Sequence, residues 1–125
     1  MNYKLLGRTG VQVSQLCFGT MTFGKEADAE TSAALYARCR DAGINFFDCA
    51  DVYVGGESER ILGKLIHSHR RDVIVTTKAF GANSEEINDR GASRRHLKEA
   101  VERSLNRLDT DYIDLYFLHQ FDTNT

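Results

Sequence analysis

The sequence predicts an α/β fold in which parallel strands are covered by helices, with a short β-hairpin leading in. Three observations predict it. After residue 15, short β-rich apolar runs alternate with amphipathic helical stretches. Each helical stretch is bounded by a capping side chain or a glycine, so the alternation is punctuated. A helix between two strands returns the chain to the same end of the sheet, so such strands run parallel. Finally, "FGTMTFG" follows the first strand of the series without the G-x-G-x-x-G spacing of a dinucleotide-binding open sheet. The preferred form of the sheet is therefore a (β/α)8 barrel.

The elements follow in order. "YKLL" and "VQVS" flank "GRTG" and read as a hairpin over residues 3–14. "LCFG" (16–19) is a short buried strand, followed by the loop "TMTFGKE". Asp28 can cap a helix, "AETSAALYARCRDAG", that stops at Gly43, where a left-handed terminator fits. "INFFD" (44–48) is the next strand. "ESERILGKLIHSH" is the next helix, with Ile61, Leu62, Leu65 and Ile66 on one face. "DVIVTTK" (72–78) is the third parallel strand. Ser93 caps a helix whose Leu97, Val101, Leu105 and Leu108 recur at helical spacing, and "DYIDLYFLH" (111–119) is the fourth.

A complete barrel of this kind takes about 250 residues, and the chain has 125. Four parallel strands alone leave two unpaired edges, which soluble proteins avoid. The expectation is a single unit, residues 1–125, forming the N-terminal half of a barrel: hairpin 3–14, then βαβαβαβ over 16–119. The remainder lies outside this chain, or a second copy supplies it as a homo-oligomer.

Composition narrows the function classes. The chain is 42% hydrophobic and 27% charged, as globular proteins are. A net charge of −2 gives no electrostatic reason to expect nucleic acid. No apolar run has the length of a membrane span or the pattern of a secretory signal, so no membrane association is expected. Cys17, Cys39 and Cys49 are widely spaced, which argues for free thiols in the reducing cytoplasm. His67 and His69 diverge by about 200° on a helix, so no metal site is expected there. Gly63-Lys64 lacks the glycine spacing of a phosphate loop. Cys49 reads as a small buried filler. Phe46, Phe47, Tyr112, Tyr116 and Phe117 are expected in the core or against helices rather than as a base-stacking platform.

The strand ends carry the chemistry. The second strand ends at Asp48, the third at Lys78 and the fourth at His119, while Tyr53 lies five residues beyond Asp48. In a parallel barrel all strand C-termini open on one face, where catalytic groups collect. An acid, a phenol, an ammonium and an imidazole therefore converge on one mouth.

At these residues the chain resembles the aldo-keto reductases. "GINFFDCADVYVGGESERILGK" is similar to that family's Asp-x-x-x-x-Tyr segment, "VIVTTK" to its lysine strand and "DYIDLYFLHQ" to its histidine strand. "YKLLGRTGVQVSQLCFGTMTFG" resembles the hairpin and first strand, especially of bacterial members related to aryl-alcohol dehydrogenases and channel β-subunits. Gln15 departs from the pattern, since many relatives carry proline there. The likeness runs through the whole chain but covers only the first half of the family fold.

The resemblance implies an NADP(H)-dependent oxidoreductase that reduces aldehydes and ketones to alcohols, with Tyr53 as general acid. A phenol of pKa about 10 is a poor donor near neutrality, and bringing it toward 7 takes roughly 4 kcal/mol. A neighbouring ammonium favours the phenolate, which gives Lys78 its role. Asp48 would pair with Lys78 and keep it charged, and His119 would hydrogen-bond the carbonyl oxygen. The resemblance also implies that Gly19, Thr20 and Met21 border the nicotinamide and its ribose, with Asp48 nearby. No basic cluster is assigned to the 2′-phosphate: Arg70–Arg71 and Arg94–Arg95 read as solvating helix ends. The alternative is a nucleotide-sensing or channel β-subunit-like binding protein, or an inactive half-barrel. Channel partners typically carry asparagine at the position of His119, which favours the enzyme.

Overall fold

Tyr3–Leu5 (β1) and Gln12–Ser14 (β2) form an antiparallel hairpin, with Tyr3 opposite Ser14, in the computed structural model of residues 1–125. The hairpin is held by polar contacts to the start of the sheet. Tyr3 donates to the Gly43 carbonyl at 2.8 Å, and the Asn45 side chain spans Ser14 N–H and the Gln12 carbonyl. It therefore closes the end of the sheet where the parallel strands begin, opposite their C-termini.

Four parallel strands follow: Phe18–Gly19 (β3), Phe46–Asp48 (β4), Ile74–Ala79 (β5) and Leu115–Leu118 (β6). They lie side by side in chain order. The helices Ala29–Asp41 (α1), Glu57–Ile66 (α2) and Arg94–Leu108 (α3) connect them. This is the topology of consecutive βα units of a barrel, with β3 and β6 as edges.

Local signals set the helix limits. Asp28 accepts from Thr31 N–H at 2.8 Å and Ser93 accepts from His96 N–H at 3.2 Å, each satisfying an amide at a helix start. α1 gives way to Gly43 at φ +85°, a conformation that costs glycine nothing. α2 is shorter than its sequence pattern: after Ile66 the chain tightens into a 3₁₀ segment, His67–Asp72, broken at His69 (φ −145°). Both histidines are drawn into tertiary contacts there. Tyr36 Oη meets His69 Nε2 at 2.6 Å and His67 Nδ1 meets Asp109 at 2.9 Å.

The core fills the space between the sheet and its helices. Phe47, Cys49, Val73 and Val75 from the strand segments pack against Tyr36, Cys39, Leu62, Ile66 and Leu108. Because side chains alternate along a strand, Phe46, Asp48, Thr76 and Lys78 face the other, concave side. Phe46 and Phe117 are thus corrected from core or helix-facing to the concave side, as Phe117 pairs with Lys78 in register. Tyr112 is also not core: it is exposed, under the Arg70 guanidinium at 3.9 Å.

The last strand starts later than its apolar run. Arg70 bonds the Tyr112 carbonyl and Asp114, and Asp114 Oδ2 accepts from Val75 N–H at 2.8 Å. A carboxylate thus stands where a backbone carbonyl would accept from Val75, and residues 111–114 lie outside the strand.

Candidate functional site

The site is built on register. Asp48 pairs with Thr76, and Lys78 lies two residues further along β5 on the same face. A lysine stem spans that diagonal, and Lys78 Nζ reaches Asp48 Oδ2 at 2.7 Å. Thr76 holds the other carboxylate oxygen at 3.2 Å. The same ammonium donates to the Cys49 carbonyl at 2.6 Å and to Tyr53 Oη at 3.2 Å. Burial pulls the Lys78 ammonium down, but hydrogen bonds to Asp48 and Tyr53, with their charge, outweigh it and leave its pKa above 10.5.

Tyr53 reaches this point because its loop folds back over β5. Cys49 N–H bonds the Thr76 carbonyl and Asp51 N–H bonds the Lys78 carbonyl at 3.0 Å. The turn then passes through three left-handed residues, Val54 (φ +51°), Gly55 (+60°) and Gly56 (+89°), before α2 begins. For the β-branched Val54 that conformation is strained. The strain sits next to Tyr53, where the chain must reverse sharply.

His119 follows β6, fixed by its N–H on the Ala79 carbonyl at 3.0 Å. Its ring meets Tyr53 edge-on, centroids 5.8 Å apart and planes at 79°. The structure therefore brings Asp48, Lys78, Tyr53 and His119 together at the C-terminal rim of the sheet. They lie on an open concave surface. The larger clefts are elsewhere: about 690 Å³ around His67, Arg70 and Tyr112, and about 560 Å³ between the loops after β5 and β6.

The three residues of "GTM" separate. Gly19 pairs with Asp48, and a Cβ added there would meet nothing within 4 Å. Met21 is 61% exposed. Thr20 is a correction, for it has no exposed surface and its hydroxyl bonds the Asp48 carbonyl and Ser58 Oγ, both at 3.0 Å. It is a strut that sets the end of β3 against β4, with no surface left for a ligand. Cys49 is the buried filler of that cluster, 3.1 Å from Ser58 Oγ.

Cys17 belongs to the neighbourhood although its sequence marks it only as a free thiol. The residue keeps exposed surface, yet protein crowds the thiol, and this burial, then the Asp48 charge, push it up to about 11 against the pull of Lys78. Its signal is its place two residues before Gly19, hence on the same strand face.

Comparison with known proteins gives the family and the fold. The sequence profile of the Aldo/keto reductase family matches residues 15–125. Two plant proteins, each described as a probable voltage-gated potassium channel subunit beta, align along the whole chain. The one from Oryza sativa subsp. japonica is 46% identical and the one from Arabidopsis thaliana 42%, with 39% of each relative covered. Among solved structures, the holo form of an aldo-keto reductase from Bacillus halodurans superimposes with a TM-score of 0.85 and 37% identity. That match covers 94% of this chain and 40% of the other. A thermostable aldo-keto reductase solved with the inhibitor epalrestat gives 0.83 and 31%, covering all of this chain and 45% of its own. The chain belongs to the aldo/keto reductase family. It spans about two-fifths of the length of the relatives it matches, and its fold is the N-terminal part of their barrel.

Proposed function

We propose that this chain supplies the catalytic half of an NADP(H)-dependent carbonyl reductase, turning a small aldehyde or ketone into the alcohol. The observation that carries this is the Lys78 ammonium bridging Asp48 at 2.7 Å and Tyr53 at 3.2 Å. Tyr53 Oη accepts from Lys78, which leaves the phenol proton free to be donated to a carbonyl oxygen. The ammonium then stabilises the phenolate left behind. Asp48 holds the ammonium in place and keeps it charged in a setting where 15% of its side chain is exposed. His119, against the Tyr53 ring, orients the carbonyl by hydrogen bonding.

The concave surface suits a nicotinamide beside these groups. Gly19 leaves a flat floor next to Asp48, and Met21 can flank it. NADPH bound there would supply the hydride. Arg70 is committed to Tyr112 and Asp114, and we assign the phosphate contacts to the rest of the barrel. The reading therefore requires a complementary half-barrel for turnover. The free thiols Cys17, Cys39 and Cys49 are in keeping with the reducing cytoplasm.

In the complete barrel, Tyr53→Phe should reduce carbonyl turnover by at least about 100-fold while NADPH still binds, as read by cofactor fluorescence. Near-normal turnover would remove Tyr53 from the mechanism. The plant relatives support a second reading, a channel-associated subunit. Co-purification with a channel cytoplasmic domain, without measurable carbonyl turnover, would favour it.

A further inference from the structure

Between the sheet and its helices, on the side away from Lys78, four buried polar atoms have no partner in the chain: Asp51 Oδ1, His96 Nε2, Arg103 Nε and Tyr116 Oη. Asp51 and His96 have no exposed surface. Native structures leave few such atoms unpaired, and scattered ones call for separate explanations. These four share one environment. His96 Nδ1 lies 3.1 Å from Asp89 Oδ1, and Arg103 bonds the same oxygen. Asn83 ties Asp51 to this pair, its side chain donating to Asp51 Oδ2 at 2.8 Å and its N–H to the Asp89 carbonyl at 3.4 Å. Tyr116 stands in register with Thr77, whose hydroxyl shares the Glu59 carboxylate with Arg107 of α3.

Their chemistry sorts the possible occupants. His96 Nδ1 faces the Asp89 carboxylate, and its Nε2 donates or accepts according to the proton it carries. Asp51 Oδ1 is an acceptor, Arg103 Nε is a donor and Tyr116 Oη is both. A metal cation would face a guanidinium N–H, and an anion would face the Asp51 carboxylate. Only a ligand that both donates and accepts satisfies the set. A cleft of about 410 Å³ lined by Asn83, Asp89, Arg103 and Arg107 opens beside the cluster and offers a path for exchange.

We propose that Asp51, His96, Arg103 and Tyr116 form an internal hydration site that holds about two ordered waters, each making about three hydrogen bonds. The site links the Tyr53 turn to α3. Asp51 lies two residues before Tyr53, its N–H is on Lys78 and its Oδ2 accepts from Asn83 at 2.8 Å. Water on Oδ1 adds a third anchor to that turn.

Tyr116→Phe separates a wet site from a dry one by the sign of its effect. Removing an unpaired buried hydroxyl stabilises a protein, whereas removing a hydrated one strands the water and its remaining partners. The expected result, on the full natural chain, is a melting temperature lowered by roughly 4 °C. A raised melting temperature would overturn the proposal. If the variant does not fold, the wild-type crystal structure decides: density for water bridging Asp51 and Tyr116 supports the site, and a dry gap refutes it. Neither readout uses carbonyl turnover, so its failure is distinct from failure of the proposed reaction.

Discussion

Lys78 keeps its proton against the pull of burial because two oxygen-bearing side chains face it. A pKa above 10.5 means that the folded chain binds this proton more tightly than the unfolded chain. Its contribution to stability is therefore complete below the ordinary lysine range, and it is lost as pH rises through the elevated folded value. Lys78→Met should remove that alkaline loss, seen as a flatter dependence of the urea midpoint on pH above about 10. An unchanged slope would mean that Asp48 and Tyr53 do not hold the ammonium in solution. At this scale Asp48, Lys78 and His119 were legible because each ends an apolar β-run. Tyr53 was legible from its spacing to Asp48. Thr20 was misread, since nothing in "GTM" shows which side chains turn inward; the hydrogen bonds to Asp48 and Ser58 decide that.

Between elements, two close contacts set where the helices sit. Gly63 on α2 lies against α3 so tightly that an added Cβ would come within 2.6 Å of the Leu108 carbonyl oxygen. Backbone cannot retreat as a side-chain tip can, so Gly63→Ala should cost about 1–3 kcal/mol in urea unfolding despite alanine's better helix propensity. The second contact is ionic. Glu59, fully buried, accepts from Thr77 of β5 at 2.5 Å and from Arg107 of α3 at 2.6 Å. One carboxylate thus joins strand and both helices. Arg107→Met would leave it buried without its counter-charge, at an expected cost of about 3–5 kcal/mol in the same assay. Gly63 carried no recognisable sequence signal, since Gly63-Lys64 lacks the spacing of a phosphate loop and nothing local marks a close helix approach. The end of α2 was overextended because "HSH" continues the helical pattern, while Tyr36 and Asp109 pull its histidines out of it.

Taken whole, the molecule is a four-stranded sheet with helices on one side and an open concave face on the other. β3 and β6 are edges, and Leu16, Phe117, Leu118 and Phe121 are exposed. Edge amides and uncovered apolar surface favour association. For residues 1–125 alone, hydrogen exchange should protect β4 and β5 well and β6 poorly, and light scattering should report self-association. A monodisperse monomer with β6 as protected as β5 would contradict this account. A matching half-barrel should slow β6 exchange because it covers the edge, and on the proposed function it should raise affinity for NADPH in the same titration.

By itself the sequence determined the order of strands and helices, the parallel sheet and the four groups at its rim. These depend on local periodicity, caps and strand ends, which neighbouring residues encode. Tertiary structure alone decided the burial of Thr20, the approach at Gly63, the carboxylate that accepts from Val75 N–H and the cluster of unpaired polar atoms around Asp51. Each of these depends on which atoms from distant segments come within a few ångströms, and spacing along the chain does not specify that.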